Sequence, residues 1–195
     1  AFDEDMHIAI VGGKRVRIRL ADDLREERSH SVSLSADLYH TFGKVQTNLL
    51  VEGFYTILDD VFALRDMDDA ADGGKVKERY NGSGATVRGF NVEGRAAFTR
   101  WFELQAGVTL QQSRYKEPEF WSEDAEVPPV RRMFRTPDAY GYFTASFKPV
   151  RNFTADLSGT CTGSMLVQHM AGSGVAQDVA VSTPSFFDMN IRLSY

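Results

Sequence analysis

One pattern runs through most of this chain: apolar and polar residues alternate with period two, segment after segment. That period sends successive side chains to opposite faces of an extended strand, so it predicts β structure with two unlike faces. In "SVSLSADLYH" (31–40), Val32, Leu34, Ala36 and Leu38 oppose Ser31, Ser33, Ser35 and Asp37. After a short turn, "TFGK", the stretch 45–58 sets Val45, Leu49, Val51, Tyr55 and Ile57 against Gln46, Asn48, Glu52 and Thr56, with Leu50 and Phe54 blurring the polar side. Stretches 85–99, 102–113, 139–149, 153–169 and 183–195 repeat the pattern, which gives seven alternating segments between 29 and 195. Residues 6–20 read as a further hairpin with Gly12 and Gly13 at its turn. "ADDLREER" (21–28) reads as a turn or two of helix, capped by Asp22 or Asp23.

No stretch approaches the roughly 20 apolar residues that a membrane helix needs. Transmembrane strands need only about 9–11 residues and show alternation instead. The front of the chain, "AFDEDMHIAIVGG", is acidic and reads unlike a secretory leader. With 22 basic against 27 acidic residues the formal charge is -5, which argues against a general nucleic-acid binder and leaves room for a local basic patch. The single cysteine, Cys161, has no partner for an internal disulfide.

The connections have a rhythm. Short ones fall at 41–44, 100–101 and 150–152, and long ones at 59–84, 114–138 and 170–183. An up-and-down antiparallel sheet then carries its short turns at one end and its long loops at the other, as outer-membrane barrels do. Several strands reach 11–17 residues, beyond the usual 5–6. The oily parity carries glycine and alanine among its large groups, which suits a surface that meets lipid and fills no core. These features predict an all-β, antiparallel, up-and-down transmembrane β-barrel, present as about seven to nine strands. Its polar parity then faces the lumen through Glu52, Glu93, Arg95, Glu103, Asp156, Asp188 and Arg192. Tyr55, Phe102, Phe143, Phe153 and Tyr195 are candidates for the interfacial aromatic belt. Two other folds share the period: a small autonomous outer-membrane barrel, and a soluble β-sandwich or β-barrel binding module with the oily face inside.

Particular stretches carry a likeness. Residues 21–64 resemble the part of TonB-dependent outer-membrane receptors where asparagine, leucine and glutamate at three-residue spacing precede a long strand pair. Leu24 and Glu27 match that motif, with Ala21 in the asparagine's place. "FYTILDDVF" resembles the end of the second strand, and "NGSGATVRGFNVEG" (81–94) the next strand entry, with Gly89 and Glu93 in the usual places. "RTPDAYGYFTASFKP" and "TADLSGTCTGSMLVQH" resemble later strands, and "TPSFFDMNIRLSY" the third strand from the end.

The resemblance implies that 1–195 is a carboxy-terminal part of the barrel domain, with the plug domain absent and the last strands beyond it. It implies a place in the bacterial outer membrane and import of a siderophore, cobalamin, haem or saccharide. The implied partners are outer-membrane lipid, the remainder of the receptor with its plug, and the TonB system through the missing parts.

Other constellations point elsewhere less well. His7, His30, His40 and His169 lack metal-ligand spacing, and the carboxylates of 59–75 lack the order of a calcium loop. The two "GSG" stretches join no strand to a helix with a following lysine. Cys161 has no local base to activate it. No catalytic residue, cofactor or metal site is therefore assigned, and the chain is read as no enzyme. In the loop 114–137, Arg114, Tyr115, Phe120, Trp121, Arg131 and Arg132 mix aromatic and cationic groups suited to capturing a bulky, partly anionic small molecule or oligosaccharide.

Overall fold

The computed structural model describes residues 9–11, 14–67, 75–122, 124, 126–172 and 174–195. In chain order the strands are β1 (Ala9–Val11), β2 (Lys14–Leu20), β3 (Arg28–Phe42), β4 (Val45–Asp59), β5 (Phe62–Met67), β6 (Lys75–Asn81) and β7 (Ala85–Thr99). There follow β8 (Phe102–Glu119), β9 (Val130–Arg132), β10 (Ala139–Val150), β11 (Phe153–Thr162), β12 (Leu166–His169), β13 (Val179–Ser182) and β14 (Phe186–Ser194). No helix occurs among the described residues.

The chain divides into two compact units. One comprises Ala1–His30, Ile57–Ala85 and Tyr115–Arg131, and the other Ser31–Thr56, Thr86–Arg114 and Arg132–Tyr195. The second unit carries most of the large sheet, whose long strands run in the order β3-β4-β7-β8-β10-β11-β14, with β9 paired to β8. Each long strand pairs with the next long strand along the chain, so the sheet is the expected meander, and its long strands match the seven alternating segments. β3 and β14 are its two edges. Gly43, at a φ of 62°, makes the tight β3–β4 turn that a side chain would strain.

Register explains the alternation. Across β8, β10, β11 and β14, one set of rungs reads Val108–Gly141–Cys161–Phe187, Ala106–Phe143–Gly159–Met189, Leu104–Ala145–Leu157–Ile191 and Phe102–Phe147–Ala155–Leu193. The intervening rungs include Gln105–Thr144–Ser158–Asn190 and Glu103–Ser146–Asp156–Arg192. A slip of one residue would move every oily group to the other face. The oily face covers nothing: the fully apolar residues buried among those described are only Ala21, Ala85 and Ala145. Leu34 is 82% exposed and Ile191 71%. A soluble sandwich or binding barrel would bury these groups inside.

At the short-turn end of this sheet, Phe98 stacks on Phe102 at 5.3 Å and Phe102 on Phe147 at 4.7 Å, with Trp101 6.0 Å from Phe102. Phe102 thus sits in an aromatic cluster at a strand end, as expected of an interfacial residue. Phe143 does not: its rung lies within the sheet beside Ala106 and Gly159.

In the first unit β1, β2, β6 and β5 form a second sheet, with β1–β2 antiparallel, β2–β6 parallel and β5–β6 antiparallel. The predicted 6–20 hairpin is present in β1 and β2, while its glycines lie outside the described residues. The predicted helical turn at 21–28 is absent. Leu24 N–H donates to the Ala21 carbonyl at 3.1 Å and the chain then extends. Asn81 takes up the backbone there instead: its Oδ1 accepts from Arg25 N–H at 2.6 Å, and its Nδ2 donates to the carbonyls of Arg25 and Asp60.

The connections hold more strand than the composition suggested. β5 and β6 lie within 59–84, β8 runs on to Glu119, and the stretch 153–169 breaks after Thr162 into β11 and β12. β12 then pairs with β13 as a separate hairpin.

Candidate functional site

The hydrophilic face of the large sheet, within the second unit, gathers the candidate lumen residues into cross-strand pairs. Alternation puts these side chains on one face, and antiparallel register decides which of them meet. Asn91 on β7 donates to Glu52 Oε2 on β4 at 2.8 Å, and Thr109 on β8 donates to Asn91 Oδ1 at 2.8 Å. Gln105 donates to Glu93 Oε1 at 2.8 Å and to the Tyr142 hydroxyl at 3.1 Å. Arg95 Nε meets Glu103 Oε1 at 2.5 Å. Ser146 donates to Asp156 Oδ1 at 2.6 Å, and Arg192 is the register partner of Asp156 on β14. Asp188 stands opposite Thr160. On β3 and β4, Asp37 accepts from the Tyr39 hydroxyl at 3.0 Å and from Asn48.

Most of these carboxylates accept from neutral donors, an amide or a hydroxyl, and among the described residues only Arg95–Glu103 is a direct ion pair on this face. Neutral donors leave the carboxylate charge in place, so each carboxylate is held in position while it keeps its charge and further lone pairs for water. Such a surface suits water or a polar protein surface against it. No group of three or more histidine, cysteine or acidic residues able to hold a metal ion occurs among the described residues.

The aromatic and cationic loop candidates divide. Arg114 and Tyr115 lie on β8, whose strand continues through them, and Arg114 donates to the Ser113 carbonyl at 3.0 Å. Phe120 follows the strand and is 76% exposed; Trp121 is half-buried. Arg131, in the first unit, donates to the Lys116 carbonyl at 3.0 Å and lies 3.7 Å from Glu117. Arg132, in the second, pairs with Asp138 at 3.2 Å and donates to the Ser164 carbonyl at 2.7 Å. These two arginines already hold local structure together.

The bridging residues Asn91, Thr109, Gln105 and Tyr142 were missed individually. Their polar parity was legible, but which carboxylate each would reach depends on inter-strand register.

The fold these pairings define is an antiparallel meander of the kind that makes up a section of an outer-membrane β-barrel. In a comparison with solved structures, the chain is similar to the ferric-catecholate import receptor Fiu from E. coli K12. The identity is 13% and the TM-score 0.60, over 89% of this chain and 22% of that one. A mutant of the ferric enterobactin receptor PfeA from Pseudomonas aeruginosa matches with a TM-score of 0.60 at 14% identity, over 93% and 25%. The outer membrane transporter YddB from Escherichia coli matches with a TM-score of 0.57 at 14% identity, over 94% and 28%. These are TonB-dependent outer-membrane receptors, and the chain spans about a quarter of their length. No protein-family model matches the sequence, and no curated protein matches it.

Proposed function

We propose that residues 1–195 form part of the channel wall and external vestibule of a TonB-dependent receptor in the bacterial outer membrane, towards the carboxy-terminal end of its barrel domain. One observation carries this reading: across β8, β10, β11 and β14 the register assembles apolar rungs on one face of the sheet, alternating with hydrogen-bonded polar rungs on the other, and no described residue covers the apolar face. In a bilayer that face meets acyl chains, and the polar face lines a wet passage or contacts a plug. The cargo is a small molecule of the siderophore, cobalamin, haem or saccharide kind, and the iron-complex import named for two similar structures favours the first. In the first unit Tyr115, Phe120, Trp121 and Arg131 contribute to capture, and in the second Arg114 and Arg132 do so. Energy from the TonB system acts through other parts of the receptor.

The test is cysteine accessibility in the complete chain that carries these residues, reconstituted in bilayers on a Cys161→Ser background. Cysteines at Thr144, Ser158 and Asn190 should react with a membrane-impermeant maleimide, and those at Phe143, Leu157 and Ile191 should not. Equal reaction of the two sets would reject the proposal.

A further inference from the structure

Several cations share the oily parity of the large sheet: Arg28 pairs with Glu26, Lys116 with Asp59, and Arg114 donates to the Ser113 carbonyl. Arg88, on β7, has the parity of Phe90 and Val92, and it is exposed. Its Nε and one terminal nitrogen donate to Gln112 Oε1 at 3.2 and 2.8 Å. A guanidinium has five N–H donors, so three remain, and no carboxylate of the described residues pairs with it. Asp138, which lines the same groove as Arg88, is engaged through Oδ2 by Arg132.

Beside Arg88 the face is grooved. A volume of about 650 Å³ is lined by Val32, Leu34, Gly53, Tyr55, Phe90 and Leu110, with Arg88 and Gln112 at its margin. Gly53 makes room for it: two Phe90 ring carbons lie 3.5 and 3.6 Å from where a Cβ would stand, so the ring crosses the glycine as the groove floor. All these residues belong to the second unit.

A charge beside hydrocarbon is costly unless a counter-charge meets it, and guanidinium matches a phosphate through paired N–H donors. Arg88 stands near the start of β7, directly after the long 59–84 excursion. It is therefore at the long-loop end, which faces the exterior in outer-membrane barrels. We infer that this groove holds an acyl chain of an anionic lipid of the outer leaflet, whose phosphate, with no headgroup cation to offset it, sits on Arg88. The inference rests on the reading above that the oily face meets the bilayer.

The complete chain tests it, with Leu34→Trp as reporter, Trp101→Phe and Trp121→Phe removing the tryptophans of residues 1–195, and every tryptophan elsewhere in the chain likewise replaced by phenylalanine. It is reconstituted in mixed phosphatidylcholine and phosphatidylglycerol vesicles, in which one lipid or the other carries bromine on its acyl chains. Both brominated lipids should quench the reporter, and phosphatidylglycerol should win the groove with about a fivefold preference. Arg88→Gln should reduce that preference to about one, and Arg88→Lys should keep most of it. Loss of quenching by both lipids would overturn the outward orientation itself. Quenching without preference, or a preference that survives Arg88→Gln, would overturn the lipid site and leave the barrel reading standing.

Discussion

Gly89 abuts the carbonyl of Leu110: a Cβ on Gly89 would stand 2.3 Å from that oxygen and 2.8 Å from Cζ of Phe54. The backbones of β7 and β8 meet there, and the Phe54 ring lies over the vacancy on the polar face. Gly89→Ala should therefore cost about 1–3 kcal/mol, because backbone cannot yield as a side-chain tip can. Urea titration of the folded chain in bilayers will measure it. Gly94, with open space around its Cα, should tolerate alanine with little change.

The Glu52–Asn91–Thr109 chain predicts a graded response. Asn91→Leu leaves both the Glu52 carboxylate and the Thr109 hydroxyl without their partner and should cost about 1–3 kcal/mol. Asn91→Asp adds a like charge beside Glu52 and should be worse at neutral pH than at pH 4. The same urea titration at both values checks this.

In the first unit, Arg65 Nε donates to Glu78 Oε2 at 2.7 Å, and the Glu78 side chain is only 8% exposed. Arg65→Ala strands a buried carboxylate and should destabilise β5–β6 by about 1–3 kcal/mol, at the lower end since Arg65 itself is exposed. Limited proteolysis should then cut sooner within 57–85. The double variant Arg65→Ala, Glu78→Leu should recover much of the loss.

Tyr80, on β6, has its phenol pushed above the ordinary tyrosine range by burial and then by nearby Glu119, with Arg65 opposing from 4.9 Å over the ring. A raised acid binds its proton more tightly folded than unfolded. Its contribution is complete below the unfolded value near 10 and is lost as pH rises through the folded value. Proteolytic protection of β5–β6 should fall above pH 10 in the native chain and fall less in Tyr80→Phe. An absorbance titration near 295 nm should show the late-ionising phenol directly.

Leu157 and Ser158 are neighbours on opposite faces of β11. Arginine at Leu157, on an oily rung, should cost about 2–4 kcal/mol in a bilayer. Arginine at Ser158 should cost little, beside Asp156 and facing the polar side. Comparing the folded fraction of each variant after reconstitution separates the two faces.

Much of this was legible because the period of two survives any register. Val32, Leu34, Phe143 and Ile191 declare their face without reference to a neighbour, and 85–99 marks its strand to the residue. Pairing was not legible. Asn91 meets Glu52, 39 positions away, through the lengths of the intervening connections, which alternation does not encode. The connections themselves misled: "DDVFALRDMDD" reads as a solvated acidic loop, yet β5 forms in it because β6 supplies the ladder partner. Arg114 and Tyr115 read as loop because charge and "EVPP" follow, but β8 extends through them. Arg88 was passed over because one cation scarcely disturbs an oily parity.

Among the described residues, β3 and β14 each hydrogen-bond to a neighbouring strand on one flank only. In hydrocarbon every bare amide and carbonyl along the other flank costs several kcal/mol. Entry into the bilayer must therefore be collective: these ribbons cross together with companions zipped along both margins, or they wait at the water boundary.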